Sequence, residues 1–239
     1  MNTPVSDVHA RAGTHHGDAV RDMFDGIAPT YDRLNRILSM GVDRRWRKRA
    51  VELLGVGTRD RVLDLCAGTM DLAADVQKLR PARIVAADFA ADMLEAGKHK
   101  VPGAERVVAD AMNMPFDDAE FSRVVCGFGM RNLSDTHKGA REVLRVLAPK
   151  GVFVTLEFFR PTRIDTRLFH AAYARYVLPT VGSLVSGRGE AYRYLRDSMN
   201  GFFTRSEYED ILRDSGFVNV TGHDLLFGIA AVVRAERPA

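Results

Sequence analysis

The sequence predicts an α/β protein with a doubly wound, mostly parallel sheet of seven strands, and three observations lead to this fold class. Short apolar runs that are typical of buried strands alternate with helical patterns along most of the chain. The first of these runs, at 61–63, passes through a turn containing Gly68 directly into a helical pattern. The last two runs have no separate helix between them, so we expect them to form an antiparallel hairpin at the edge of the sheet.

The spacing of the apolar residues places each element in turn. Residues 20–55 form a helical region, with Met23, Phe24 and Ile27 at helical spacing. Strands are predicted, in chain order, near 61–66, 83–88, 105–109, 122–128 and 152–158, with helices near 71–79, 91–99 and 137–147. The remaining predicted elements are a helical insertion over 163–200, a helix near 204–215 and two final strands at 217–221 and 228–233.

Residues 20–239 are expected to form a single domain, because this length is ordinary for one large α/β core. Residues 1–19 are polar, show no signal peptide and are predicted to be a flexible arm. Within the arm, the pair His15-His16 could clamp a metal ion. No third ligand follows at a useful spacing, so a solvated tail is favoured and no metal site is expected.

The composition is that of a globular protein and does not favour a nucleic-acid-binding or membrane-spanning protein. The chain is 46% hydrophobic and 27% charged, and its net charge of +3 is too small to indicate nucleic acid. No apolar run reaches the length of a membrane span. Cys66 and Cys126 both end predicted strands and are expected to be buried free thiols, which fits a reducing cytoplasm better than a redox role.

The turn at 64–71, Asp-Leu-Cys-Ala-Gly-Thr-Met-Asp, carries the clearest chemical signal. It joins a strand to a helix where open α/β sheets bind nucleotides, and Asp88 ends the next strand, where a carboxylate can bind both hydroxyls of a ribose. The turn has Gly68 but no G-x-G-x-x-G, which a dinucleotide pyrophosphate needs. Acidic side chains repel phosphates and suit a cationic sulfonium. The pattern therefore indicates S-adenosylmethionine rather than NAD.

Longer motifs give the chain a family resemblance from about Val20 to Val233. One is Tyr31–Trp46, YDRLNRILSMGVDRRW, and another is Arg145–Glu157, RVLAPKGVFVTLE. Between them stand the turn at 64–71, Asp110-Ala111, Pro115-Phe116 and the run Gly-Phe-Gly-Met-Arg-Asn at 127–132. On these motifs the chain resembles the ubiquinone/menaquinone biosynthesis C-methyltransferase family.

The resemblance implies a Rossmann-like class I methyltransferase. Its reaction would transfer a methyl group from S-adenosylmethionine to a ring carbon of a prenylated quinol, in menaquinone or ubiquinone biosynthesis. The donor-binding residues would be Asp64, Gly68, Thr69, Asp88, Asp110 and Ala111. The helical region 20–55 would act as a lid, and the insertion 163–200 as a substrate cover. A homo-oligomer and a complex with other quinone-pathway proteins both stay open.

Methylation of a quinol carbon needs a group that favours the phenolate, because a neutral quinol carbon is a weak nucleophile. Arg131 is the first candidate, and a surface salt bridge is its alternative role. Asn132 would orient a substrate oxygen or cap the next segment. Glu157 would anchor the quinol or a water molecule, or else bond to backbone. Tyr31 would close over the donor or pack in the core.

The insertion supplies the other substrate candidates. Its apolar stripe would line a lipid tail or simply form core, and it consists of Leu168, Phe169, Ala172, Tyr173, Tyr176 and Val177. His170 could act as a base or be a packed or exposed side chain. The candidate substrate contacts are therefore Asn132, His170 and Tyr173. The run Arg44–Arg49 places Trp46 among cations, which suits peripheral contact with the anionic inner face of a membrane or a solvated helix face.

Four positions depart from the family pattern. The family has Gly at the positions of Met70 and Lys150, His at Asp43 and Ser at Phe159. Met70 matters most, because a positive φ there would cost a side chain about 1 kcal/mol or more. Its side chain could also narrow the methionine end of the donor pocket. We expect donor binding to be weakened or reshaped rather than lost.

Two other functions stay open on the sequence. One is a methyltransferase for a different small molecule, and the other is a non-catalytic scaffold for quinone-pathway proteins. Titration with the donor would separate the scaffold from the enzymes. The motifs do not distinguish menaquinone from ubiquinone precursors, because the expected contacts are shared.

Overall fold

The computed structural model of the chain describes residues 14–28, 31–32, 36, 39, 41–162, 194, 197–225, 228 and 230–239. Its strands are β1 Arg61–Leu65, β2 Arg83–Asp88, β3 Glu105–Val108, β4 Phe121–Gly127, β5 Leu147–Phe158, β6 Val218–Leu225 and β7 Ala230–Glu236. Its helices are α1 Thr14–Ile27, α2 Asp43–Leu54, α3 Asp71–Gln77, α4 Ala91–Gly97, α5 Thr136–Val146 and α6 Arg205–Asp214. A short 3-10 turn covers Met130–Asn132.

The seven strands form one sheet in the order β3-β2-β1-β4-β5-β7-β6. β1 lies between β2 and β4 and is parallel to both, whereas β7 is antiparallel to β5 and β6. The strand order reverses beside β1, so a crevice opens at the carboxyl ends of β1 and β4. The predicted fold class, including the C-terminal antiparallel hairpin, is confirmed.

Two apolar layers cover the two faces of the sheet. On one face, Trp46, Leu72 and Leu94 from α2, α3 and α4 pack on the inner strands. On the other face, Val143 of α5 and Tyr208 of α6 do the same. Because helices cover both faces, the inner strands are buried on both sides and are apolar almost throughout. No helix in the described part of the chain combines the length and apolar content needed to cross a bilayer.

The N-terminal helix begins earlier than predicted. α1 starts at Thr14, so the segment 1–19 that was predicted as a flexible arm is helical from 14 onward. The sequence is polar here and contains Gly17, but a glycine costs a helix only about 1 kcal/mol. The buried Val20, Ile27 and Ala28 farther along supply the packing that compensates for this cost. Residues 1–13 lie outside the described residues.

The C-terminal strands also differ from their predicted bounds. β5 begins at Leu147 rather than near 152, because Pro-Lys-Gly at 149–151 looks like a turn yet continues the strand. Lys150 adopts a positive φ of 61° and its amide donates to the Arg237 carbonyl at 3.1 Å, which keeps the kinked strand paired. The two hairpin strands lie farther toward the C-terminus than predicted, at Val218–Leu225 and Ala230–Glu236. The predicted insertion lies outside the described residues over 163–193.

Candidate active site

The turn that follows β1 is tight and left-handed at three residues. Cys66, Gly68 and Met70 have φ values of 54°, 52° and 61°. The Met70 amide donates to the Ala67 carbonyl at 2.7 Å and closes the turn. Position 70 therefore has the positive φ at which a side chain is strained and a glycine is not. The Met70 side chain is fully buried, so it fills space inside the fold.

A helix packs against this turn with no side chain between them. A Cβ atom placed on Gly97, the last residue of α4, would stand 2.3 Å from the carbonyl oxygen of Thr69. Such a distance is far below any van der Waals contact. Gly97 therefore allows the main chain of α4 to touch the main chain of the turn.

Asp88 ends β2 and ties the turn to the next strand. Its Oδ2 accepts a hydrogen bond from the Gly68 amide at 2.8 Å, and its Oδ1 accepts one from the Ala90 amide at 2.9 Å. Asp88 as a whole residue is 6% exposed. Burial raises its pKa to about 6, against the opposing effect of these amides.

Asp64, in β1, is more deeply buried than its predicted donor-binding role suggests. Its Oδ2 accepts from the Ala73 amide in the first turn of α3 at 2.8 Å. Its Oδ1 is buried and receives no hydrogen bond from the described residues. Burial raises its pKa to about 7. An unpaired acidic oxygen beneath the turn suits a cationic group and would repel a pyrophosphate, so the site fits the ligand class that the sequence indicates.

The other predicted donor residues lie around the same crevice. The carbonyl of Asp88 accepts from the Ala109 amide at 3.0 Å, which brings Ala111 and Asp110 beside β2. Asp110 is exposed and its Oδ1 accepts from the Met112 amide at 2.8 Å. Thr69 is buried, and its hydroxyl donates to Asp32 Oδ1 at 2.5 Å.

Arg131 and Glu157 meet at the carboxyl ends of β4 and β5. Arg131 Nη1 donates to Glu157 Oε1 at 2.7 Å and to the Phe128 carbonyl at 2.5 Å. Glu157 also accepts from the amides of Arg131 and Phe158, at 3.3 Å and 2.7 Å. Burial raises the pKa of Glu157, whereas Arg131 and these amides oppose that rise. Arg131 is thus buried and paired, rather than part of a surface salt bridge.

One buried donor of Arg131 has no acceptor among the described residues. Its Nε is buried, and no described residue accepts a hydrogen bond from it. The guanidinium carbon lies 6.0 Å from the ring centre of Phe128 and 5.8 Å from that of Phe158. Burial lowers the pKa of Arg131, but Glu157, Tyr194 and Tyr31 outweigh it and raise the pKa above its usual value. The group is therefore a permanent cation with an N–H that no described residue uses.

Asn132 is bonded on both sides of its amide. Its Nδ2 donates to the Phe128 carbonyl at 3.3 Å, and its Oδ1 accepts from the Tyr194 hydroxyl at 3.0 Å. Burial raises the pKa of Tyr194 to about 12, so its phenol is a proton donor at neutral pH. Sequence reasoning missed Tyr194, since it lies far from Asn132 in sequence and in no motif.

A cover lies over the turn, and we define the N-terminal cover as α1, Ala28, Tyr31 and Asp32. Ala28 is buried against Ala90 and Met93, with the Tyr31 ring packed beside them. The Tyr31 Cε1 atom stands 3.9 Å from the position that a Cβ on Gly68 would take. Tyr31 is therefore both a packing residue and a neighbour of the turn that follows β1.

Three further positions that the sequence analysis singled out are buried and bonded or packed within the fold. Asp43 is buried and accepts from Ser39 Oγ at 2.7 Å and Arg47 Nη1 at 2.5 Å. Phe159 is buried among aromatic rings, with its centroid 5.5 Å from that of Tyr208. Trp46 is also buried, 6.0 Å from the Phe158 ring, so it is unavailable to a membrane surface.

A groove of about 840 Å³ between α2 and α3 is a separate feature. Charged side chains of both helices line it, together with Asp32 and Lys100. None of the predicted donor or catalytic residues lines it, so it lies apart from the predicted site. His170 and Tyr173 lie outside the described residues.

The chain matches the ubiE/COQ5 methyltransferase family over residues 12–237. It is 41% identical to the ubiquinone/menaquinone biosynthesis C-methyltransferase UbiE of Geobacter sulfurreducens, over 94% of this chain and 90% of that protein. It is 42% identical to the demethylmenaquinone methyltransferase of Thermus thermophilus, over 90% of this chain and 100% of that protein.

A solved structure shows the same fold at low identity. Haemonchus contortus phosphoethanolamine N-methyltransferase 2, in complex with S-adenosyl-L-methionine, superposes with a TM-score of 0.61 at 13% identity, over 81% of this chain and 52% of that one. The strand order, the glycine turn and the close relatives agree, and the chain belongs to the ubiE/COQ5 methyltransferase family.

Proposed function

We propose that this chain is an S-adenosylmethionine-dependent C-methyltransferase that methylates a ring carbon of a prenylated quinol in menaquinone or ubiquinone biosynthesis. Its family and the names of its relatives support the reaction class. The structural observation that carries the proposal is Arg131, a buried cation held by Glu157 at the carboxyl edge of the sheet. Its Nε–H is unused by the described residues and is available to a substrate oxygen.

The residues around the turn would hold the donor. Asp88 would accept the ribose hydroxyls with its remaining lone pairs, since each oxygen already takes one amide bond. The unpaired Oδ1 of Asp64 would favour positive charge at the methionine end. Asp110 and Ala111 would border the adenine. When bound, S-adenosylmethionine supplies a methyl group already activated by its sulfonium.

Arg131 would act on the acceptor. A guanidinium hydrogen bond to a quinol hydroxyl lowers the pKa of that hydroxyl and favours the phenolate, whose charge reaches the adjacent ring carbon. Glu157 receives three hydrogen bonds, which favours a role in holding Arg131 over a role as base. Burial of both groups excludes water and strengthens the electrostatic contribution.

Other residues would position the reactants. Tyr31, beside Gly68, would close the donor side, and Asn132 would orient a substrate oxygen. His170 and Tyr173, in the predicted substrate cover over 163–200, stay candidates for the base and for the wall of the lipid tail. The family pattern does not decide between menaquinone and ubiquinone precursors.

Contact with a membrane surface is part of the proposal, because a prenylated quinol resides in a bilayer. α2 exposes Arg44, Arg45, Lys48 and Arg49, and these cations suit the anionic inner face of the cell membrane. The buried Trp46 plays no part in this contact. A cytoplasmic enzyme that docks transiently is therefore proposed, either alone, as a homo-oligomer or in a quinone-pathway complex.

The direct test is turnover. The purified chain is incubated with S-adenosylmethionine and a short-chain demethylmenaquinol kept reduced, and the product is identified by mass spectrometry. A ring-methylated quinone is expected. Donor binding without turnover of any quinol would support the methyltransferase for another small molecule, and absence of donor binding would support the scaffold. Lipid extracts of a deletion strain identify the natural substrate, because its unmethylated precursor accumulates.

A further inference from the structure

Lys100 occupies a junction between three parts of the chain. Its Nζ lies 2.6 Å from Asp32 Oδ2, 2.7 Å from Asp71 Oδ1 and 3.1 Å from Thr69 Oγ1. These partners belong to the N-terminal cover, to the first turn of α3 and to the donor turn. The Lys100 side chain is 16% exposed, whereas the nearby Lys98 is 54% exposed and pairs with Glu95.

Asp32 is the residue of the N-terminal cover that bonds to the turn and to Lys100. Its Oδ1 accepts from the Thr69 hydroxyl at 2.5 Å, and its Oδ2 pairs with Lys100. Burial raises the pKa of Asp32, but the hydrogen bonds from Lys100 and Thr69 outweigh burial and lower the pKa below its usual value. Asp32 therefore stays ionised at neutral pH, and hydrogen bonds to a charged group are stronger than those between neutral groups.

The position of Asp32 decides the position of its neighbour. Tyr31 precedes it directly, and the Tyr31 ring reaches the surface of the turn at Gly68. The apolar contacts of the Tyr31 ring, with Phe24 at 6.1 Å between ring centroids and with Ala90 and Met93, are non-directional. The contacts of Asp32 with Thr69 and Lys100 supply the directional bonds.

We propose that Lys100 is a positioning residue that holds the N-terminal cover on the donor turn through Asp32 and Thr69. It thereby sets donor affinity without touching the donor. The inference rests on the proposed function, because it assumes that the turn holds S-adenosylmethionine. It predicts an effect on the retention of the donor rather than on the methyl-transfer step.

The test compares Lys100→Met with the matched control Lys98→Met in the full-length protein. Amide hydrogen exchange of peptides covering residues 20–32 is followed without ligand, because exchange reports local opening. Affinity for S-adenosylhomocysteine is measured by calorimetry. Lys100→Met should speed exchange in the cover and weaken binding about tenfold, the loss expected for one hydrogen bond between charged groups. Lys98→Met should change neither.

Asp32→Asn provides a second route to the same result, since its side chain is 39% exposed and the Lys100–Asp71 pair stays intact. It should reproduce both effects, and the double variant should bind no more weakly than either single variant. Unchanged exchange and affinity in folded Lys100→Met or Asp32→Asn would overturn the proposal. If the wild-type chain binds no S-adenosylhomocysteine, the proposed function fails, whereas the exchange comparison still decides whether Lys100 fastens the cover.

Discussion

Arg131 and Glu157 form an ion pair in which both side chains are buried, with exposed fractions of 6% and 0% and an Nη1–Oε1 distance of 2.7 Å. Removing one partner of such a pair leaves the other as a buried, unpaired charge, which lowers the free energy of unfolding by about 3–5 kcal/mol. Arg131→Ala therefore tests folding as well as chemistry. A variant that keeps the charge beside Glu157 separates the two effects.

Arg131→Lys should leave donor affinity unchanged and lower turnover at least about tenfold, because lysine keeps the charge but loses the planar donor fork. Arg131→Ala should lower turnover by about 10²–10³-fold, the range for loss of one oxyanion-type contact. The defect should shrink at alkaline pH, where the quinol ionises unaided. Turnover of a reduced short-chain demethylquinol, measured across pH alongside thermal unfolding, checks this. An equal defect at every pH would remove Arg131 from the ionisation step.

Asp88→Asn should weaken donor affinity roughly 10- to 100-fold, since hydrogen bonds to a charged partner contribute about 1.5–3 kcal/mol. Asparagine keeps an acceptor for one of the two amides, so the turn at Gly68 loses less support than in Asp88→Ala. Calorimetric titration with S-adenosylmethionine measures the change. The exposed Asp92, in the first turn of α4, supplies the control Asp92→Asn, which should bind normally. Unchanged affinity in Asp88→Asn would refute the ribose assignment.

Donor affinity should rise as the pH increases from 5 to 7.5. Burial raises the pKa of Asp88 to about 6 and that of Asp64 to about 7, so both are protonated at the acidic end of this range. A cationic donor binds better once they ionise. Asp64→Asn should flatten part of the profile. A profile that is flat in the wild type would show that the donor does not depend on the ionised form of either carboxyl group.

The same two groups predict the pH dependence of stability without donor. Their folded-state pKa values lie above the ordinary aspartate value of 3.8, so the folded protein holds protons that the unfolded chain has released. Stability should therefore fall as pH rises from about 4 through 7 where these groups dominate. Urea unfolding at several pH values measures this, and the fall should be smaller in Asp64→Asn.

Met70→Gly should leave donor affinity equal or higher while lowering stability. Removing the side chain relieves the strain of a left-handed backbone, about 1–2 kcal/mol. The packing of a fully buried methionine contributes more to stability, about 2–5 kcal/mol. Calorimetry and urea unfolding measure the two effects separately. A collapse of donor binding would mean that the methionine makes a contact that the ligand needs.

The strands next to the site could be predicted because continuous apolar runs are typical of strands buried on both faces. The Asp64–Asp71 turn and its glycine likewise indicated the crevice. The start of α1 at Thr14 could not be predicted, because its stability comes from packing beyond the polar stretch. Likewise, the start of β5 at Leu147 was missed, because Pro-Lys-Gly at 149–151 is typical of a turn and the bond from the Lys150 amide to Arg237 comes from the tertiary fold.

The sequence predicted which residues form the candidate site but not which of them contact one another. The sequence placed Arg131 and Glu157 at strand ends, yet their pairing depends on the register of β4 with β5. Lys100 and Tyr194 were missed, because each reaches its partner across a long stretch of chain and neither belongs to a motif. Contacts of this kind are set by tertiary packing alone.

The main-chain contact between Gly97 and Thr69 limits which substitutions this enzyme can accept. Any side chain at 97 must push the carbonyl of Thr69 away, and Thr69 lies one residue from the positive-φ Met70 and from Gly68. The shape of the turn after β1 therefore depends on α4, the helix that follows the next strand. A change of donor preference, whether by natural drift or by engineering, therefore has to keep glycine at position 97. The substitutions have to fall on neighbouring residues that face the crevice.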